Sequence, residues 1–116
     1  MSSAQDLATR TCGTCAPGTA PLDDAHAAEL AAGIHPAWER EGTARIRRTV
    51  RFPNFRDAFA VATKIALLAE SQGHHPDLEV GWARLAVTFT THAAGGLTEN
   101  DFVMAAKIDR FLPAAA

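Results

Sequence analysis

The sequence predicts an α+β domain: a four-stranded antiparallel sheet with helices packed on one face. Residues 45–52 and 85–91 alternate apolar and polar side chains with a period of two, as half-buried strands do. Residues 55–69 repeat apolar side chains at helical spacing over about four turns. The order strand, strand, helix occurs twice along the chain, which suggests a pseudo-symmetric sheet.

The composition indicates one ordinary globular domain. The chain has 116 residues, of which 47% are hydrophobic and 21% charged, far from a disordered composition. A net charge of -2 offers no basic surface for nucleic acid, and we expect Arg45, Arg47, Arg48 and Arg51 to form one solvated strand face. The sequence shows neither an apolar run of a membrane span nor a secretory signal, so we expect a cytoplasmic protein that binds no membrane.

The first 20 residues lack periodicity and are rich in Ser, Thr, Gly and Ala. We expect a flexible N-terminal arm here, ahead of a domain that spans residues 21–113. The arm carries the only two cysteines of the chain, Cys12 and Cys15, as a Cys-x2-Cys pair. Zinc usually takes four ligands, so a metal site would have to borrow histidines or a second subunit. The interpretation we favour is a reduced thiol pair.

Local signals mark the elements of the first half of the domain. Asp23 is a good N-cap for a short helix, and Gly33 is placed to stop that helix. Trp38 is expected to open the first strand, and Glu41-Gly42 to turn the chain into the second strand over residues 45–52. These two strands are predicted to form a hairpin.

Asn54 is expected to cap a long central helix, and Gly73 to end it in the left-handed conformation. Pro76 disfavours helix for His75, so the two adjacent histidines should lie on a bent loop leaving the helix. The predicted core-facing stripe of the helix comprises Phe55, Ala58, Phe59, Ala62, Ile65, Ala66 and Ala69.

The last third of the chain predicts two strands, over residues 78–82 and 85–91, and a final helix that ends near Phe111. The strand that ends in His92 is expected at an edge of the sheet, next to a Gly-Gly loop. Thr98-x-x-Asp101 has the spacing of a capping box, so Asp101 already has a structural role at the start of the final helix.

The stretch from Glu70 to His92 contains the side chains best suited to catalysis. It holds Glu70, His74, His75 and His92, which places three of the five histidines in one window with a carboxylate. Imidazole exchanges protons near neutral pH, so the window predicts an acid/base site. We expect Glu70 to orient His74 and to favour its protonated form. Adjacent histidines on an extended loop should diverge, which argues against joint chelation of a metal.

This window resembles the signature of the pterin-4a-carbinolamine dehydratase family. That signature is an acidic residue, three spacers, His-His-Pro, five or six spacers, an aromatic residue, nine spacers, a histidine and a later aspartate. The residues that fill it here are Glu70, His74, His75, Pro76, Trp82, His92 and Asp101. Trp82 stands where members often carry Tyr. Trp38 and residues 46–52 and 54–55 also resemble the family, so the resemblance spans residues 22–111.

The resemblance implies the family's fold and its activity. That activity is the dehydration of 4a-hydroxytetrahydrobiopterin to quinonoid dihydrobiopterin and water, which recycles the cofactor of aromatic amino-acid hydroxylases. It implies a hydro-lyase that uses no metal and no organic cofactor, and that self-associates to a dimer or homotetramer. Relatives that act as non-catalytic interaction proteins leave an alternative: a dimerisation cofactor of a transcription factor or a RuBisCO assembly factor. A small metalloprotein that uses the arm cysteines is a third interpretation.

The resemblance also implies roles for individual residues. His74 and His92 would transfer protons, and His75 would bind and orient the pterin. Residues that would bind substrate or support the site are Glu70, Pro76, Asp101, Trp38 and Trp82. For the two tryptophans ordinary packing is the alternative to stacking on a flat ligand.

Overall fold

The computed structural model describes residues 4–13 and 18–113. Their helices and strands, in chain order, are α1 (Ala4–Thr9), α2 (Asp24–Ala31), β1 (Glu39–Glu41), β2 (Arg45–Arg51), α3 (Phe55–Gln72), β3 (Asp77–Gly81), β4 (Arg84–Phe89) and α4 (Glu99–Asp109). The strands form one antiparallel sheet in the order β1-β2-β4-β3. The predicted α+β fold is confirmed.

The core lies between the inner face of the sheet and the helices. Across the three longer strands Val50 pairs with Leu85, which in turn pairs with Val80, and Ile46 pairs with Phe89. Of these five side chains all but Val80 are fully buried. A slip of one residue would turn polar side chains inward, so burial of this apolar set fixes the register.

Arg48 lies in this core, and its predicted place on a solvated face is wrong. It pairs with Val87 on the inner face and is fully buried. Its guanidinium donates to Asp109 Oδ1 at 2.7 Å and to the Pro113 carbonyl at 2.8 Å. Asp109 also accepts from the Trp38 indole N–H at 2.8 Å. A buried charge is tolerable here because a carboxylate and a carbonyl replace water at the two terminal nitrogens of the guanidinium.

β4 is a central strand, between β2 and β3. It ends at Phe89, before His92. The expectation that the strand ending in His92 forms an edge is therefore wrong, and in the described sheet the edges are β1 and β3.

The caps of the central helix are those predicted from the sequence. The Asn54 side chain accepts from the Asp57 N–H at 2.8 Å, and Gly73 has φ 66°, a left-handed C-cap. Helix α3 is the longest described helix, yet neither it nor any other helix in the described ranges is long and apolar enough to cross a membrane. The side chains that α3 buries are Ala58, Ala62, Ile65 and Ala69.

Three residues of the predicted core stripe of α3 face outward instead. Phe55 is 48% exposed, Phe59 is 55% exposed, and Ala66 is also exposed. The two phenyl rings stack on each other with centroids 6.0 Å apart. Leu67 on the same helix is 67% exposed. The sheet covers only one side of α3, so within one chain the wide apolar stripe is half buried.

The N-terminal arm contains a helix that the sequence did not predict. Helix α1 packs against α4, and Leu7 on α1 is fully buried there. Six residues are too few to form a stable helix alone, so contact with α4 must stabilise it. Cys15 lies outside the described residues. The thiol-pair and zinc interpretations of the arm, which both need Cys15, therefore stay predictions.

Candidate active site

His74 lies in the turn that follows α3 and is held on two sides. The left-handed Gly73 reverses the chain, and the His74 N–H donates to the Ala69 carbonyl at 3.3 Å. Its ring Nε2 lies 2.6 Å from Oδ1 of Asp101, and its ring stacks almost parallel on Phe89, with centroids 5.9 Å apart. The His74 side chain is 11% exposed and that of Asp101 is 0% exposed. The imidazole is therefore fixed in orientation.

Asp101 belongs to the predicted capping box of α4 and also contacts His74. Its Oδ2 accepts the Thr98 N–H at 2.9 Å, which caps α4, and the Thr91 hydroxyl at 2.8 Å. Since the single Thr91 hydrogen is used in this way, the Thr98 hydroxyl donates to Thr91 across 2.8 Å. Because a carboxylate accepts, His74 donates through Nε2. Its other ring nitrogen, Nδ1, is then the one that can accept a hydrogen bond.

Glu70 contacts His75, and the expectation that it orients His74 is wrong. Glu70 Oε1 lies 2.5 Å from His75 Nε2. Glu70 would meet His74, four residues on, only if the helix continued. The left-handed Gly73 instead ends it and turns His74 toward α4. His75 is 57% exposed and Glu70 77% exposed. The two histidine side chains diverge, as predicted.

His92 begins a 3₁₀ turn, His92–Ala94, at the same end of the domain. Its side chain is exposed. The residue before it, Thr91, pairs with Gly96 and donates to the Asp101 carboxylate. The backbone that carries His92 is thus tied to the same buried carboxylate that holds His74.

A cleft of about 330 Å³ opens beside His74. This volume falls at the lower end of the range of small-molecule sites, roughly 300–1,000 Å³. Its lining offers an imidazole, two side-chain amides, a thiol and backbone groups. The lining residues are Cys12, Gly13, Gln72, Gly73, His74, Ala93 and Asn100. His74 is the signature histidine that lines the cleft, and Ala93 brings the turn of His92 to its wall.

Several residues of this region were not predicted as site residues: Gln72, Asn100, Thr91 and the arm residues Cys12 and Gly13. The signature covers only Glu70 to Asp101, so it gives no information about the residues that the N-terminal arm contributes to the cleft. The capping-box motif was the available signal for the Asp101 cluster, because it places Thr98 and Asp101 side by side.

Pro76 and the two tryptophans do not line this cleft. Trp38 is 8% exposed and packs in the core against Phe89, with ring centroids 6.2 Å apart. Trp82, by contrast, is 77% exposed in the turn between β3 and β4. Pro76 immediately precedes β3. Within the described ranges, no group of three or more His, Cys, Asp or Glu side chains is arranged to hold a metal ion.

Comparison with known proteins agrees with these features. Residues 20–111 match the family model described as pterin 4 alpha carbinolamine dehydratase. Two curated relatives share the name "Putative pterin-4-alpha-carbinolamine dehydratase". The Methylococcus capsulatus protein is 42% identical over 104 residues, 89% of this chain and 90% of that protein. The Rubrobacter xylanophilus protein is 44% identical over 105 residues, 90% of this chain and 97% of that protein.

A solved structure has the same fold. The crystal structure of a transcriptional coactivator/pterin dehydratase from Brucella melitensis is 31% identical, with a TM-score of 0.73, over 80% of this chain and 99% of that one. Together with the family model, which matches most of the chain, this similarity leads to one conclusion. The chain belongs to the pterin 4 alpha carbinolamine dehydratase family.

Proposed function

We propose that this protein dehydrates a 4a-hydroxytetrahydropterin to the quinonoid dihydropterin, with 4a-hydroxytetrahydrobiopterin as the substrate. The observation that carries the proposal is the His74 imidazole, bound through Nε2 to the buried Asp101 and placed at the wall of a cleft. An oriented imidazole beside a space for a small flat molecule is what proton transfer to or from a pterin requires.

The reaction needs two proton transfers and no redox step. The bond between C4a and the hydroxyl oxygen breaks, and an acid protonates the oxygen so that it leaves as water. A base takes the proton from N5, and the double bond between C4a and N5 forms. Each proton transfer by a positioned side chain contributes about 10²–10⁴-fold to the rate.

We assign these two transfers to His74 and His92, and we assign binding and orientation of the pterin to His75. The fixed ring of His74 favours a direct proton-transfer role, with Nδ1 as its reacting nitrogen. The exposed His92, on the turn next to Thr91, can approach a ligand that enters from solvent. His75, the next residue in the chain, pairs with Glu70 and is 57% exposed, so it can meet a ligand that approaches from solvent.

The direct test is the decay of a 4a-carbinolamine generated by an aromatic amino-acid hydroxylase, followed by its absorbance. We expect this protein to accelerate the decay at micromolar concentration, and the His74→Ala variant to serve as the folded control. Decay no faster than in buffer would overturn the proposal. A positive result would also support the expected link to an aromatic amino-acid hydroxylase, because that enzyme forms the substrate.

We further propose that the protein self-associates to a dimer or homotetramer. The outward face of α3 presents the stacked Phe55 and Phe59 together with Leu67. Clusters of exposed large apolar side chains are typical of protein interfaces. The same face gives the second candidate function, a non-catalytic interaction protein, because the Brucella melitensis relative is described as a transcriptional coactivator as well as a pterin dehydratase. The carbinolamine assay separates these two candidates.

A further inference from the structure

The N-terminal arm is fastened across the end of the domain that bears the cleft. We call residues 7–13 the strap. At one end of the strap Leu7 is buried against α4, and the Ala8 carbonyl accepts from Lys107 Nζ at 2.8 Å. In the middle Arg10 pairs with Glu99. The strap residues lie outside residues 20–111, the stretch that matches the family model, whereas their partners Lys107 and Glu99 lie within it.

The other end of the strap is fixed at the cleft itself. The Asn100 side chain makes two hydrogen bonds with the Gly13 backbone: its Oδ1 accepts the Gly13 N–H at 3.0 Å, and its Nδ2 donates to the Gly13 carbonyl at 2.7 Å. The Gln72 side chain accepts the Cys12 N–H at 3.0 Å. Paired amide contacts to backbone set both the distance and the orientation of the bound segment.

The strap therefore shares a cavity with His74. Cys12 and Gly13 line the cleft together with Gly73 and His74. Asn100, which clamps the strap, precedes Asp101, which holds His74. A molecule in the cleft would lie between the strap and the imidazole.

We propose that the strap is a binding element for the pterin: it forms the wall that confines the ligand beside His74, with Asn100 as its positioning residue. This inference rests on the proposed function, because it takes the cleft to be the pterin site. The strap touches the ligand through Cys12 and Gly13 and governs affinity. The proton transfers belong to the histidines, so the strap affects KM more than kcat.

The test uses Cys12 as a reporter in the full chain. The Cys15→Ser substitution leaves Cys12 as the only thiol, since the chain has two cysteines. Its alkylation by iodoacetamide is timed with and without 7,8-dihydrobiopterin, and binding of that pterin is measured on the same variant by calorimetry. At about ten times the dissociation constant, alkylation should slow about tenfold, because the reagent reaches only the unoccupied fraction.

A matched control places the thiol outside the cleft. In a chain with both cysteines changed to Ser, the Ser71→Cys substitution puts a thiol on the exposed side of α3, and the pterin should leave its alkylation rate unchanged. Pterin binding without protection of Cys12 would overturn the strap proposal and leave the proposed function standing. Absence of pterin binding would overturn both.

A second test weakens the packing of the strap at a point away from the cleft. The Leu7→Ala substitution removes buried contacts with α4, and KM should rise by at least about threefold with kcat nearly unchanged. The control is Leu30→Ala, which trims a partly buried leucine on α2 and should leave KM unchanged. A fall in kcat at constant KM in Leu7→Ala would overturn the assignment to binding.

Discussion

Two histidines that are neighbours in the chain each pair with a carboxylate, at 2.6 Å for His74 with Asp101 and 2.5 Å for His75 with Glu70. The side chains of the first pair are 11% and 0% exposed, whereas those of the second are 57% and 77% exposed. An exposed pair is screened by water and contributes about 0–1 kcal/mol, while a buried one cannot lose a partner without leaving a polar group unsatisfied.

The comparison shows that distance alone does not define a functional pair. His75 and Glu70 can separate and be replaced by water at little cost. Asp101 is surrounded by donors and its side chain is 0% exposed, so solvent does not reach it to substitute for His74. Orientation that survives thermal motion comes from the buried pair, which is why, of these two neighbours, we assign a proton transfer to His74 and ligand binding to His75.

The strongest test removes each imidazole in turn. His74→Ala should lower dehydratase turnover by about two orders of magnitude or more, and His92→Ala should act similarly, since each removes a proton-transfer group. His75→Ala should chiefly raise KM. Steady-state kinetics on variants shown to be folded by circular dichroism would measure this. If the His74→Ala and His92→Ala double variant kept full activity, the assignment would be wrong.

A subtler test keeps the shape of each carboxylate and removes its charge. In Asp101→Asn the amide oxygen is needed by Thr91 and Thr98, so its NH₂ faces His74 and forces the other ring tautomer. Turnover should fall about tenfold to a hundredfold, and the free energy of unfolding by about 1–3 kcal/mol. The matched Glu70→Gln change should alter stability by less than about 0.5 kcal/mol. Equal effects in the two variants would show that the buried pair is no more important than the exposed pair.

Self-association determines whether the Glu70–His75 pair stays exposed to solvent. Glu70 shares a helical face with Phe59 and Ala66, so a second copy packed on α3 would also approach the His75 pair. We expect a dimer or tetramer in light scattering, and a smaller mass for Phe59→Glu, with Ala28→Glu on the exposed side of α2 as the control. A monomeric mass for the unaltered protein at micromolar concentration would refute self-association.

The smallest expected effect is that of chelation. If proton transfer is carried by imidazoles without metal, treatment with a strong chelator should leave turnover unchanged, whereas a zinc-bound hydroxide would be lost with its metal. The experiment is repeated on a variant with Cys12→Ser and Cys15→Ser, which removes the arm thiols. Activity lost on chelation and restored by zinc in that variant would contradict the mechanism.

Local signals in the sequence determined the elements of this fold that follow the N-terminal arm. Alternation marked the strands, and side-chain chemistry within one turn marked the helix ends, as at Asn54, Gly73 and Thr98. The signature from Glu70 to Asp101 determined the family, since it depends on residue types and spacing alone. These features were predictable because each depends on neighbours in the chain, whose geometry is almost fixed.

Tertiary structure alone decided which groups meet. Asp101 reaches His74 across 27 positions, Arg48 reaches Asp109 across 61, and the strap reaches Asn100 across 87. Strand parity placed Arg48 on the inner face, but only the carboxylate of a distant helix makes its burial tolerable. Similarly, a six-residue helix holds its shape only against α4. The free energy of such contacts depends on burial and on satisfied partners, and neither quantity exists until the chain has folded.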